Sequence, residues 1–164
     1  MIKLRIEKHP SFRAFGQKTW ISGQDNEQFA VFWASARENG LTDTLRKVSG
    51  SNPGPVTGSH LFGISCVEKD PNDRAFFFFI AAEAPEGMEL PDKLEEYHVP
   101  ACEWAVFENS GNTADALIAA EMYAFMEWLP ASAYEHANAP ELEGYPAHHS
   151  TVEFWLPVRP KKSS

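Results

Sequence analysis

A chain of 164 residues, 43% hydrophobic and 23% charged, has the length and apolar content of one globular domain and leaves no room for a second independent core. Its 14 Lys and Arg stand against 23 Asp and Glu, a net charge of -9 that repels phosphate backbones and draws cations, which argues against direct nucleic-acid binding. No stretch approaches the roughly 20 apolar residues of a membrane span and Met1–Arg5 lacks a signal-peptide apolar run, so the expectation is a cytoplasmic protein with no membrane association.

Ile2–Ile6 alternates apolar and charged residues and reads as a strand. A second strand runs from Phe12 to Ile21, before Ser22-Gly23 breaks it; no helix-turn-helix precedes them, so any regulatory role would need a separate DNA-binding partner. Asp25 with Gln28 forms a capping-box signal, and Phe29, Phe32, Trp33 and Ala36 recur at helical spacing until Asn39-Gly40. Residues 49–59, rich in Gly, Pro and Ser, read as a surface loop. His60–Glu68 and Arg74–Glu83 form an antiparallel hairpin about the turn Asp70-Pro71-Asn72-Asp73. The run Phe76–Ala82 is apolar on both faces, which predicts a central strand with helices on one side and a second layer or ligand cavity on the other.

After the loop Ala84–Asp92, Lys93–Val99 and Ala101–Glu108 read as strands. A second helix starts at Asn112-Thr113, carries Ile118, Met122, Phe125 and Leu129 on its buried face, and ends at Pro130. Glu141–Tyr145 and Thr151–Val158 close the chain as strands around a Pro-Ala-His-His turn. The order strand, helix, strand, strand thus occurs twice, over about 1–85 and 93–160. It predicts one α+β domain over 1–164: a curved antiparallel sheet with two helices on one face and a ligand cleft on the other.

In the last strand, alternation puts Val152, Phe154 and Leu156 on one face and Glu153 with Trp155 on the other. If the first face meets the helices, Glu153 and Trp155 line the cleft, where a shielded carboxylate beside an indole suits lipophilic cations. The competing reading is an ordinary solvated charge. Glu143 and Tyr145 repeat the acidic-aromatic pair on the preceding strand, and Glu83 is a third carboxylate, closing the Phe-rich strand. Trp20, Phe62 and Trp104 are candidate walls, whereas Trp33 and Phe125 lie on helix stripes and read as core. Cys66 and Cys102 read as reduced core thiols, the six histidines lack metal-site spacing, and no hydrolase, NTPase or dinucleotide motif is present, so neither metal nor cofactor is expected.

Several segments together resemble the GyrI-like family, the effector-binding domain of AraC-type and multidrug-responsive regulators. They are Ile80-Ala81-Ala82-Glu83, Val99-Pro100-Ala101 leading to Trp104-Ala105-Val106-Phe107, Trp128-Leu129-Pro130 with Ser132 and Tyr134, Pro140–Tyr145, and Val152–Val158. The resemblance implies the duplicated fold and a central cleft binding amphipathic, often cationic aromatic compounds against a buried Glu. It also implies Glu143 and Glu153 as the acidic residues and Trp155 as a pocket aromatic. Two departures are Trp104, where Tyr is usual, and Ala81-Ala82, where Gly-Val is usual.

Three functions follow as expectations. The first is a drug sensor or sequestering protein for hydrophobic cations. The second is a hydrolase of electrophilic small molecules, in which Glu143 or Glu153 activates water and Tyr145 donates a hydrogen bond. The third is an inhibitor that binds a separate protein partner, as topoisomerase-binding relatives do.

Overall fold

In a computed structural model of the chain, residues 1–23, 26–68, 70, 75–147 and 150–162 are described. The Asp25 cap, the Pro71–Asp73 turn and the His148–His149 pair lie outside them.

The N-terminal alternation forms β1, Lys3–His9, and the extended run after Pro10 forms β2, Phe12–Ser22. Helix α1, Glu27–Glu38, follows and ends at Asn39. Gly40 then adopts a left-handed φ of 85°, and a helix that the sequence reading missed begins at once: α2, Leu41–Ser51. It buries Leu41, Leu45 and Ser49 at four-residue spacing and takes the first residues of the expected 49–59 loop. Strands β3, Leu61–Ser65, and β4, Ala75–Ala84, form the expected antiparallel hairpin. After β5, Glu95–Val99, and β6, Cys102–Ser110, comes α3, Ala114–Met122, capped by the Thr113 side chain accepting from the Ala116 N–H. It continues through a π-helical turn, Tyr123–Trp128, to a last turn at Leu129–Ala131. The chain ends with β7, Tyr134–His136, β8, Glu141–Tyr145, and β9, Thr151–Pro160; β7 is a short addition that pairs with the end of β9.

The strands form one antiparallel sheet in the order β1-β6-β9-β8-β3-β4-β2-β5. The block β6-β9-β8 repeats β2-β4-β3 about the central β8–β3 pair, as the duplicated element order predicts. The first strand of each half crosses over, β1 adding to β6 and β5 to β2, so each half completes the other's sheet.

All three helices pack on one face. Phe15, Phe78 and Ile80 meet α1 and α2 there, and Ala105, Phe107, Phe154 and Leu156 meet α3. The opposite face carries Phe12, Phe62, Phe79, Trp104, Val106 and Trp155. That face is covered by protein: the segment after α2 folds over it, with Val56 packed on the cluster and the Glu83 carboxylate accepting from the N–H groups of Val56 and Thr57 and from the Thr57 hydroxyl. Gly54 leaves the space that the Glu83 side chain fills. Among the described residues no helix is long and apolar enough to cross a membrane.

Candidate functional site

A cavity of about 880 Å³ opens between α1 and α3 above the central strands β3 and β8. It therefore lies on the helix-bearing face, along the line where the two halves meet, and not on the opposite face where the duplicated element order places the cleft. Two helices that each cover only their own half of the sheet leave the middle strands uncovered, and the cavity is that gap.

Glu143 sits at its floor. Pairing of β8 with β9 sets Glu143 opposite Phe154, so its side chain shares the helix-side face with that ring. On the other neighbour, β3, the position opposite Glu143 is Gly63, where an added Cβ would collide with the carboxylate. One carboxylate oxygen accepts the indole N–H of Trp33 at 3.1 Å and the other accepts the Tyr145 hydroxyl at 3.1 Å. The two rings meet edge to face at 5.3 Å, fixing both donors. No cationic side chain among the described residues pairs with this carboxylate. Burial therefore dominates and pushes Glu143 up to about 7, against the smaller opposing effect of the Trp33 and Tyr145 hydrogen bonds. Burial, with the adjacent Glu143, also raises the Tyr145 phenol well above its usual range.

The walls are apolar and adaptable. Phe29, Trp33 and Phe78 form the α1 side. The α3 side presents Ile118, Met122, Phe125 and Met126, which all keep accessible surface, 69% for Met126. The expected buried stripe of this helix was wrong for these residues, because Leu117, Ala120 and Ala124 are what meet the sheet. The π-helical turn widens the helix at Tyr123–Trp128 and leaves both Phe125 and Met126 on the cavity side. Trp33 and Phe125, assigned to core from sequence, are thus lining residues. The readable signal was the excess of apolar surface on α3, with two adjacent stripes where one sheet contact needs only one.

The other predicted site residues do not converge here. Glu153 is 3% exposed on the opposite face. It accepts from Arg5 at 2.7 Å and from the Trp155 indole at 2.9 Å, with His60 at 3.2 Å. Burial would raise its carboxyl, but those hydrogen bonds outweigh it and hold the group down at about 2. Trp155 stacks on His9 at 5.5 Å and packs edge-on against Phe62 and Trp104, all within the core of that face. The Trp104 indole N–H has no acceptor among the described residues. Glu83 serves the loop clamp described above. Trp20, 53% exposed, pairs with Phe77 away from the cavity. Of the predicted residues, then, the structure brings together Glu143 and Tyr145.

Cys66 and Cys102 are unbridged and half-buried; burial pushes the Cys66 thiol up to about 12, reinforced by Glu68, which makes it a poor nucleophile.

Residues 5–158 match the sequence profile of Cass2, described as integron-associated effector binding protein. No curated protein sequence matches the chain. Among solved structures, a bacterial transcription regulation protein from Staphylococcus aureus MU50 shares 18% identity over 96% of this chain and 98% of its own, with a TM-score of 0.70. SAV2435 bound to tetraphenylphosphonium shares 19% over 96% and 94%, with a TM-score of 0.71. An integron cassette protein from the mobile metagenome of Vibrio cholerae shares 15% over 95% of each chain, with a TM-score of 0.67. At these identities the likeness is one of fold.

Proposed function

The chain belongs to the Cass2 family of integron-associated effector-binding proteins, and from that premise we propose that it binds amphipathic aromatic cations in the cavity between α1 and α3, with Glu143 as their charged anchor. The observation that carries this reading is the Glu143 carboxylate itself. It lies at the floor of an aromatic cavity, held by two neutral donors and, among the described residues, by no cation, with its pKa raised to about 7. A buried carboxylate without a counter-ion is costly, and a cation entering the cavity relieves that cost as a proton does. Ring faces of Phe29, Trp33 and Phe125 add cation-π attraction, and Met122 and Met126 can re-pack around ligands of different shape. A structural neighbour bound to tetraphenylphosphonium, a lipophilic cation, supports the same ligand class. With such a ligand the protein acts as a sensor or a sequestering module.

Titration with tetraphenylphosphonium, followed by tryptophan fluorescence, tests the reading. Glu143→Gln weakens binding tenfold or more, which corresponds to about 1.4 kcal/mol. Glu153→Gln leaves the affinity within about twofold, since that carboxylate is already paired. Unchanged affinity in Glu143→Gln overturns the assignment.

One observation favours a second reading. A carboxylate with a pKa of about 7 and a phenol 3.1 Å away is also suited to activate water against an electrophilic ligand. Incubation with small strained electrophiles and a product mass increased by one water would establish turnover; their recovery unchanged leaves the binding role.

A further inference from the structure

We propose that the preferred ligands are amphoteric: molecules carrying, besides the cation held at Glu143, an anionic group that is met by Arg37 and Arg46 at one end of the same cavity. The inference rests on the cation-binding reading of Glu143 and adds to it the second charge of the ligand.

The chain is acidic, with 23 Asp and Glu against 14 Lys and Arg, so most guanidinium groups find a carboxylate. Arg5 pairs with Glu153, Arg13 with Glu96 and Arg159 with Glu135. The guanidinium groups of the remaining described arginines, Arg37 and Arg46, have no hydrogen bond or ion pair with a described residue, and both side chains line the cavity. Two guanidinium groups without a partner among the described residues thus stand in the wall of the cavity whose floor is Glu143.

Their position follows from the helix. Along α1, Phe29 packs on Phe76 and Phe78, while Trp33, one turn later, packs on Phe78 and Tyr145. The helix therefore runs from the Phe76 end of the cavity toward the Tyr145 end. Arg37 follows Trp33 by four residues, on the same face and roughly 6 Å further along the axis. Arg46 reaches the cavity from α2, one turn after Thr42, which also lines it. Of the acidic residues of the lining, Glu121 faces this end from α3, near enough to raise the Tyr145 phenol. Glu143 is held by Trp33 in the middle, and Glu141, paired with His136 at 2.9 Å, lies two positions further along β8 away from Tyr145.

The cavity thus presents a carboxylate at its centre and, on its α1 and α2 side, two guanidinium groups, with Glu121 on the α3 side. A simple cation satisfies only the first. A molecule with an aromatic body, a cationic nitrogen and a carboxylate or sulfonate roughly one helical turn away satisfies both, and a planar guanidinium suits an oxyanion of that kind.

Rhodamine B, whose free carboxylate makes it a zwitterion at neutral pH, and its ethyl ester, a cation with the same chromophore, form a matched pair of probes. The expected result is that the full-length protein binds the acid about fivefold or more tightly than the ester at low ionic strength, the margin shrinking as salt is added. Arg37→Gln combined with Arg46→Gln removes the margin by weakening the acid alone, with the melting temperature unchanged because both side chains are exposed. Glu143→Gln weakens both dyes. Equal affinity for the two dyes in the wild-type protein, with both still dependent on Glu143, overturns the anionic subsite and leaves the cation reading in place. Binding of neither dye, or binding of both without dependence on Glu143, overturns the cation reading and this inference with it.

Discussion

Glu143 and Glu153 occupy the same local pattern, an acid two residues before an aromatic ring, and end in opposite environments. Alternation within a strand shows which residues share a face, and both Glu143–Tyr145 and Glu153–Trp155 do share one. It does not show which face of a neighbouring strand is the same face. That depends on register, and the register here sets Glu143 opposite Phe154 and Gly144 opposite Glu153. A slip of one residue would have put both carboxylates on one side of the sheet. The pair on β8 was therefore legible as a candidate, whereas its separation from the pair on β9 was not. The same separation divides their roles. The folded-state pKa of Glu153, about 2, lies below its unfolded value, so its ion-pair network stabilises the fold above about pH 4.5 and that stability is lost as pH falls toward 2. Glu153→Gln is expected to lower stability by about 2–3 kcal/mol at neutral pH, because one neutral amide oxygen replaces the charged pair of oxygens shared by Arg5 and the Trp155 indole, and to flatten the acid limb of a denaturation curve measured against pH. A variant as stable as the wild-type protein at pH 7 would mean the network contributes nothing.

At the scale of elements, helical periodicity located α1 and α3 but misassigned the face of the second. Ile118, Met122 and Phe125 recur at the spacing of a core stripe, and Leu117, Ala120 and Ala124 form a second such stripe one or two residues earlier. Small residues on the second stripe let α3 lie close to β6 and β9, which freed the larger ones for the cavity. Helix α2 was hidden because Asn39-Gly40 reads as a helix stop and its last residues, 49–51, read as part of a loop, although Leu41, Leu45 and Val48 keep helical spacing. The Gly- and Pro-containing segment after it was read correctly as irregular. Its attachment to Glu83 is a long-range contact that local composition does not encode. If the large side chains of α3 serve the ligand more than the fold, Phe125→Ala lowers stability by only about 1 kcal/mol, since the ring is 37% exposed, while weakening tetraphenylphosphonium several-fold. Chemical denaturation and tetraphenylphosphonium titration on the same sample separate the two effects. A loss of several kcal/mol with unchanged affinity would return Phe125 to the core.

The whole molecule is a duplicated unit whose halves meet at the β3–β8 pair, and the repeat of element order was enough to predict the sheet and its curvature. The crossing of β1 and β5 into the opposite halves was not predictable from local pattern, because an edge strand pairs with whichever neighbour the chain can reach. Nor was the covering of the helix-free face, which closed the side where a cleft was expected and left the junction between the helices as the open one. The duplicated architecture thus places the Glu143 carboxylate, without a counter-ion among the described residues, at the centre of an aromatic gap. That arrangement couples cation binding to loss of a proton. With Glu143 at about 7 in the free protein, the ionised fraction rises roughly tenfold between about pH 6 and pH 8. The dissociation constant of tetraphenylphosphonium, whose own charge does not titrate, is the most direct measure of this coupling. It is predicted to tighten by roughly that factor over the interval in the wild-type protein and in Glu153→Gln, and to stay weak and flat in Glu143→Gln; a constant affinity across the interval in the wild-type protein would contradict the account.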